Sequence, residues 1–402
     1  IGTSAPSDSG ERPFFFAWGD LDRVSPRDPG IKLIEHDIAY IMYTSGSTGA
    51  PKGLMHTHLS GRSYATLSAK EYGVMPSDRL GNHSPLHFDM STFEYLTGPF
   101  CGATTVIIPE EATIFPLRLA QLIEEEALTF WYSVPLALIQ LLERGKIEQR
   151  DCSSLRWVLF GGEPFAPKHL KQLMALWPQA RFSNSYGPAE VNQCTAYHLP
   201  PGAPDTDEPI PLGRVWPGAE GLVVDDKGQT VAAGQVGELL IRAPTAMRGY
   251  WARPDLNRKA FFRQSLFPDF EKLFYRTGDL VQERADGNLV FCGRKDRMIK
   301  VRGYRVELDE VEAVLNGQPG VAEAAAVALR DADGNLSIIG VVLGGEDADL
   351  DINSLRQGTA HRLPAYAVPA RIEIRQALPR TGSGKIDRTA LTTQLAETSD
   401  TP

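Results

Sequence analysis

The 402-residue chain lacks any apolar run long enough to span a bilayer, and no charged-then-apolar leader pattern opens it at Ile1. Its four cysteines, Cys101, Cys152, Cys194 and Cys292, lie far apart with no Cys-x-x-Cys pair. That scarcity excludes a disulfide frame or a thiolate zinc site and predicts reduced thiols in a cytoplasmic protein. The eight histidines fall into no metal spacing; His56 and His58 stand two apart without a third ligand and read as structural. Positive charge is also short, with 41 Lys and Arg against 50 Asp and Glu and a net charge of −9, which argues against nucleic acid or an anionic membrane as partner. No Gly-Lys-Ser/Thr ending marks a Walker loop, and no Ser-His-Asp or Cys-His arrangement stands out. Hydrophobic content of 42% and charged content of 23% are those of a globular protein, and the length suits two or three domains.

What is present centres on one glycine-rich turn. The apolar run Ile38-Ala39-Tyr40-Ile41-Met42 reads as a buried strand and leads into Tyr43-Thr44-Ser45-Gly46-Ser47-Thr48-Gly49-Ala50-Pro51-Lys52-Gly53. Glycines let backbone N–H groups close around an anion, hydroxyls add donors, and Lys52 adds charge, so Thr44 to Gly49 with Lys52 suits a phosphate cradle.

Downstream, strand and helix patterns alternate. A helix is expected from Ser60 to Lys70, then a helix with Leu119, Leu122 and Ile123 on one face. Leu128–Tyr132 reads as a strand, Leu136–Leu142 as a helix, and Arg156–Phe160 as a strand ending in Gly161-Gly162-Glu163. Leu170, Leu173, Met174 and Trp177 form the core stripe of the next helix. This alternation predicts an α/β large lobe of layered, largely parallel sheets, with ligands near the carboxyl ends of strands. A hairpin turning at Asp225 to Gly228 follows. After residue 294 the pattern becomes a small α+β lobe: a helix through Leu308, Val311 and Leu315, strands Val321–Leu329 and Ser337–Leu343, and a helix before Pro364.

The motifs, taken in order, resemble those of the adenylate-forming superfamily: acyl-CoA synthetases, luciferases and the adenylation domains of non-ribosomal peptide synthetases. The resemblance runs from about Asp37 to Arg388 and is strongest to amino-acid adenylation domains. It implies a lead-in over 1–36, a large lobe over 37–293 lacking the family's front portion, and a small mobile lobe over 294–402 that hinges at Asp296. His87-Phe88-Asp89-Met90-Ser91-Thr92-Phe93-Glu94 resembles the substrate-pocket motif, in which Asp89 meets the α-ammonium group of an amino acid; the alternative is that Asp89 caps a helix starting at Ser91. Carried over position by position, the pocket comprises Asp89, Met90, Phe93, Tyr132, Leu159, Gly161, Ser185, Gln193, Cys194 and Lys385. Phe93 and Tyr132 take up volume, which favours a small or medium side chain, and Ser185 and Gln193 offer polar contacts.

Asn184-Ser185-Tyr186-Gly187-Pro188-Ala189-Glu190 resembles the adenine and magnesium motif, with Gly161, Gly162, Glu163, Asn184, Ser185, Tyr186 and Gly187 around adenine and Glu190 on Mg²⁺. The family usually has Thr at the place of Ala189, so one hydroxyl for the α-phosphate is lost. Asp279, in Tyr275-Arg276-Thr277-Gly278-Asp279, and Arg294 match the ribose contacts. Lys385, in Thr381-Gly382-Ser383-Gly384-Lys385, matches the catalytic lysine, and Lys300 and Gly303 belong to the face that replaces it for the second step.

The resemblance thus implies ATP- and Mg²⁺-dependent activation of an α-amino acid as aminoacyl-AMP, then transfer to the phosphopantetheine thiol of a carrier protein. Neither nucleic acid nor a membrane is expected as a partner. The competing expectations are an acyl- or aryl-CoA ligase, against which Asp89 counts, and a catalytically silent nucleotide-binding module.

Overall fold

A computed structural model describes residues 18–28, 30–44, 51–202, 208–330, 335–345, 350–381 and 386–399. The chain divides into a short leading unit that ends at Asp37 and a main unit from Ile38 onwards. In the leading unit, a 3-10 turn covers Trp18–Arg23. Ile34 and Asp37 close a second turn, the Asp37 N–H donating to the Ile34 carbonyl (3.0 Å) and the Ile34 N–H to Asp37 Oδ2 (2.9 Å). Phe14, Phe15 and Phe16 lie outside the described residues.

The main unit opens with β1 (Ile38–Thr44) and β2 (Lys52–Thr57), an antiparallel pair in which Thr44 faces Lys52. The glycine-rich stretch is their connection. Helix α1 (His58–Tyr72) starts at a reciprocal capping box, in which Thr57 and Ser60 bond each other's backbone N–H. It ends at Gly73, whose φ of 59° is the left-handed conformation that stops helices.

Strands β3 (Arg79–Asn82), β4 (Thr104–Ile107), β5 (Phe130–Ser133), β6 (Trp157–Gly161) and β7 (Arg181–Tyr186) are parallel to one another. With β8 (Thr195–His198), antiparallel to β7, and β9 (Arg214–Val215), antiparallel to β8, they form a seven-stranded sheet among the described residues, ordered β4-β3-β5-β6-β7-β8-β9. Between them lie the single-turn pieces α2 (Gly98–Phe100) and α3 (Glu110–Thr113), and α4 (Pro116–Glu125), α5 (Pro135–Arg144) and α6 (Pro167–Leu176), each of these last three with proline in its first turn. Trp177 lies one residue past α6, as its C-cap, yet still packs in the core.

Alternation along the strands sorts the sheet's two faces. Trp131, Val158, Phe160 and Phe182 point into the core under α4, α5 and α6. Phe130, Tyr132, Trp157 and Leu159 point the other way, into a cluster with Tyr64, Tyr72, Met90, Phe93 and Trp216.

Antiparallel strands β10 (Glu220–Val224) and β11 (Val236–Arg242), β13 (Phe261–Phe267), β14 (Phe270–Glu283) and β15 (Leu289–Arg294) make a second sheet. The Asp225–Gly228 turn is present, but it folds residues 229–231 back on β10, and β11 begins only at Val236. β12 (Gly249–Tyr250), followed by α7 (Pro254–Ala260), adds to the edge of β2. Among the described residues of this half of the chain, parallel pairing is therefore confined to β3–β7, and the flanking sheets are antiparallel.

The C-terminal part begins with β16 (Met298–Val301) and β17 (Tyr304–Glu307), joined by Arg302 (φ 52°) and Gly303 (φ 81°), the two left-handed residues of a tight hairpin. Helix α8 (Leu308–Asn316) leads to β18 (Val321–Arg330) and β19 (Leu336–Gly344), α9 (Ile352–Ala360), β20 (Arg371–Arg375) and α10 (Arg388–Ser399). Both faces of β18 are covered: Ala324 and Ala326 pack with α8 residues, whereas Ala325 and Val327 pack with Leu391 and Leu395 of α10. This is the α+β lobe that the sequence predicts.

Candidate active site

The alternation that fills the core also places the pocket. Tyr132 pairs with Leu159 across β5 and β6, and Gly161 with Ser185 across β6 and β7, so all share the face turned to Phe93. Phe93 meets Tyr132 edge-on at 6.0 Å between ring centres. Gly161 is required here, since a Cβ would lie 2.1 Å from the Ser185 carbonyl oxygen. Asn184 lies on the opposite face, its amide donating to the Pro211 carbonyl (2.7 Å).

Asp89 stands at one end of this cluster. It sits within a short 3-10 turn after Phe88, and neither that turn nor the Phe93–Thr97 helical turn has a side-chain cap, so the capping alternative is not what the fold uses. Burial raises its carboxyl above the ordinary range; Lys300 pulls it down and Glu190 pushes it further up, while backbone N–H groups of Asp89 and Met90 donate to it. At the far end, the Tyr132 hydroxyl bonds Ser185, the Tyr72 hydroxyl lies 3.0 Å from Ser185 Oγ, and the Gln193 amide nitrogen donates to Tyr72. Cys194 is seated elsewhere, in the core around Tyr186, Leu54 and Val191.

Tyr186 is buried, and its hydroxyl donates to Asp279 Oδ2 (2.5 Å). Arg294 bridges Asp279 and Asp296, through Nη1 at 2.5 Å and Nε at 2.5 Å respectively. The predicted ribose pair and the predicted hinge thus share one guanidinium. Glu190 is fully buried. Burial opposes its ionisation, but Arg305 and the Tyr250 hydroxyl hold its carboxyl down at about 2. Arg305 Nη1 and the Tyr250 hydroxyl both bond Oε1, at 2.8 and 2.7 Å, and Oε2 has no hydrogen-bond partner among the described residues. Lys52, 8% exposed, lies 3.4 Å from Glu307 Oε1, and the buried Thr44 Oγ1 also has no partner among the described residues. His56 is structural: its Nε2 meets the Ala189 carbonyl (3.0 Å), and its ring stacks on Tyr40.

The β16–β17 hairpin is docked on this site. Glu163 accepts from the backbone N–H groups of Gly303 and Leu136, Tyr304 packs 5.9 Å from Phe88, and Lys300 faces Asp89 electrostatically. Arg305, Glu307, Tyr250 and Tyr72 carry these contacts but stood in the sequence without assigned roles. Tyr250, in Gly249-Tyr250-Trp251, and Arg305, at the end of the Gly293 to Arg305 stretch, do lie in segments that resemble the family's. Ser45 to Gly49 and Lys385 lie outside the described residues; the flanks of the lysine stretch, Leu378 and Ile386, pack in the core of α10 and β18.

Two family models match the chain: AMP-binding enzyme over residues 8–251 and AMP-binding enzyme C-terminal domain over residues 310–385. The chain belongs to the AMP-binding enzyme family. It is similar to the L-proline–[L-prolyl-carrier protein] ligase of Pseudomonas fluorescens, 36% identical over 94% of this chain and 73% of that protein. The protein of the same name from Streptomyces coelicolor is 37% identical over 88% of this chain and 66% of its own length. Among solved structures, the Vibrio cholerae adenylation domain AlmE, in complex with glycyl-adenosine-5'-phosphate, superimposes with a TM-score of 0.79 at 29% identity, covering 90% of this chain and 67% of that one. Among the described residues, no helix of this AMP-binding enzyme is long and apolar enough to cross a membrane.

Proposed function

We propose that this AMP-binding enzyme activates an α-amino acid with ATP as aminoacyl-AMP and passes the aminoacyl group to the phosphopantetheine thiol of a carrier protein. The observation that carries the reading is Asp89: a half-buried carboxylate, raised by desolvation, at the head of an apolar cluster and within reach of the charge of Lys300. A buried carboxylate is costly without a cation, and an amino acid's ammonium group supplies one. The relatives named for prolyl-carrier protein ligation and the neighbour holding a glycyl-adenylate support the same substrate class.

In the first step a substrate carboxylate oxygen attacks the α-phosphorus of ATP, and the bond to pyrophosphate breaks. Both reactants are anions, so the task is positioning and charge neutralisation. Thr44 and Lys52, with Ser45 to Gly49, would hold the phosphates. Glu190, with one buried oxygen unpartnered, fits a hard cation; Mg²⁺ held there would neutralise phosphate charge. Asp279 and Arg294 would take the ribose, with Tyr186 and the strand end Gly161 to Glu163 beside the base. Lys385 would bridge the carboxylate and α-phosphate. In the second step the thiol sulfur attacks the carbonyl carbon, its proton leaves to solvent, and the bond to AMP breaks. The docked hairpin, with Lys300 and Gly303 at the pocket, suits this step: Arg305 and Glu307 occupy the same Glu190 and Lys52 that the first step would use.

Pyrophosphate exchange in the full-length protein, tested across amino acids, fatty acids and aryl acids, decides the reading. Exchange with amino acids alone is expected. Exchange only with fatty or aryl acids would favour a CoA ligase, and none with any acid a silent nucleotide-binding module.

A further inference from the structure

The Tyr72 end of the pocket holds two polar atoms that the fold leaves unsatisfied. Gln193 is 4% exposed, and its amide nitrogen sits between the Tyr72 hydroxyl and the Thr195 carbonyl at 3.5 Å. A carbonyl only accepts, so the nitrogen belongs on that side and the amide oxygen points the other way. That oxygen, Oε1, is buried without a hydrogen-bond partner among the described residues. Trp216, 3% exposed, packs edge-on against Tyr72 at 6.4 Å, and its Nε1 is likewise buried without a partner among the described residues. One orphan accepts and the other donates. Leaving a buried polar group unpaired is costly, so a cluster otherwise built of Phe93, Tyr132 and Leu159 would not carry two of them without a use.

The charges nearby are spoken for. Glu71 pairs with His198 at 3.1 Å, and burial pushes the Glu94 carboxyl well up, towards its neutral form, with Asn82 as its side-chain partner at 3.5 Å. Neither of these carboxylates is left free to balance a cationic substrate side chain.

We propose that the amino acid taken by this pocket ends in a neutral group that both donates and accepts a hydrogen bond, a hydroxyl or a carboxamide. Gln193 Oε1 receives the donated bond, and Tyr72 acts as a positioning residue that fixes the Gln193 amide through its hydroxyl. This inference rests on the amino-acid reading above. It also separates this chain from a proline substrate, whose ring has no such group.

Pyrophosphate exchange in the full-length protein is the test, with kcat/KM measured for matched pairs: threonine against valine, asparagine against leucine, 4-hydroxyproline against proline, and lysine alongside. A donor-bearing member should exceed its apolar partner by about a hundredfold or more, because a site with an unpaired acceptor rejects the analogue that cannot fill it. Which pair responds distinguishes hydroxyl from carboxamide. In Gln193→Met the same ratio should fall below about tenfold, and Tyr72→Phe, which removes a single oxygen, should narrow it even if Gln193→Met fails to fold. Equal or faster turnover of the apolar members, a preference for lysine, or a ratio unmoved by both substitutions would overturn the inference while leaving amino-acid activation standing. No exchange with any amino acid would overturn both.

Discussion

Arg305 Nη1 lies 2.8 Å from Glu190 Oε1, joining the C-terminal hairpin to the carboxylate proposed to hold the metal ion. With Lys52 and Glu307 at 3.4 Å, this pair makes the hairpin and the nucleotide's triphosphate competitors for the same two side chains. Removing one partner of a buried pair costs about 3–5 kcal/mol in the arrangement that contains it. Arg305→Ala should therefore depopulate the docked hairpin. Transfer to a carrier thiol is expected to fall at least about tenfold more than pyrophosphate exchange, a difference of about 1.4 kcal/mol in barrier. Equal losses in both half-reactions would contradict the competition.

Gly303 offers a steric version of the same test. Its φ is 81°, and a Cβ there would lie 2.3 Å from Val134 Cγ1. Gly303→Val should obstruct hairpin docking and slow transfer from a supplied aminoacyl-AMP by about tenfold or more. Adding Val134→Ala should restore part of the loss. A double variant no faster than the single one would place the defect in the backbone turn instead of the contact.

Asp89→Asn keeps the shape and removes the charge. The KM for the amino acid should rise by about a hundredfold, on the scale of a lost charge-assisted contact, with a smaller effect on the KM for ATP. The wild-type carboxyl is raised by burial, so it begins to take up a proton above the ordinary carboxylate range as pH falls. Only the ionised form pairs with ammonium. The amino-acid KM should therefore climb on the acid side, and that climb should vanish in Asp89→Asn.

Lys385→Ala should abolish adenylate formation and leave transfer from a supplied aminoacyl-AMP largely intact. Single-turnover assays of each half-reaction check this. Equal loss of both would argue against two-state use of the small lobe.

Burial lowers His56 to about 4, with partial opposition from the Ala189 carbonyl and Glu190. The unfolded chain takes up a proton near pH 6.5 that the native chain refuses until about pH 4. The stability this contributes is fully present above pH 6.5 and drains away as pH falls towards 4, by up to about 3 kcal/mol. Urea midpoints measured from pH 7 to pH 4 should show the decline, and His56→Gln should flatten it.

Much of the architecture was legible along the chain because its causes are local. Apolar periodicity marks α4, α6 and the buried strands, proline and glycine mark their ends, and the order of short motifs identifies the family before any coordinates are considered. The family resemblance implies Asp89, Tyr132, Leu159 and Ser185 as pocket residues, and strand alternation does put the last three on one face. What tertiary structure alone decided concerns residues far apart in sequence. Arg305 meets Glu190, Glu307 meets Lys52, one guanidinium ties Asp279 to Asp296, and Tyr72 reaches across to Gln193. Such pairings depend on how sheets and hairpins dock, where burial turns a modest surface contact into a strong one. No spacing along the chain encodes that distance.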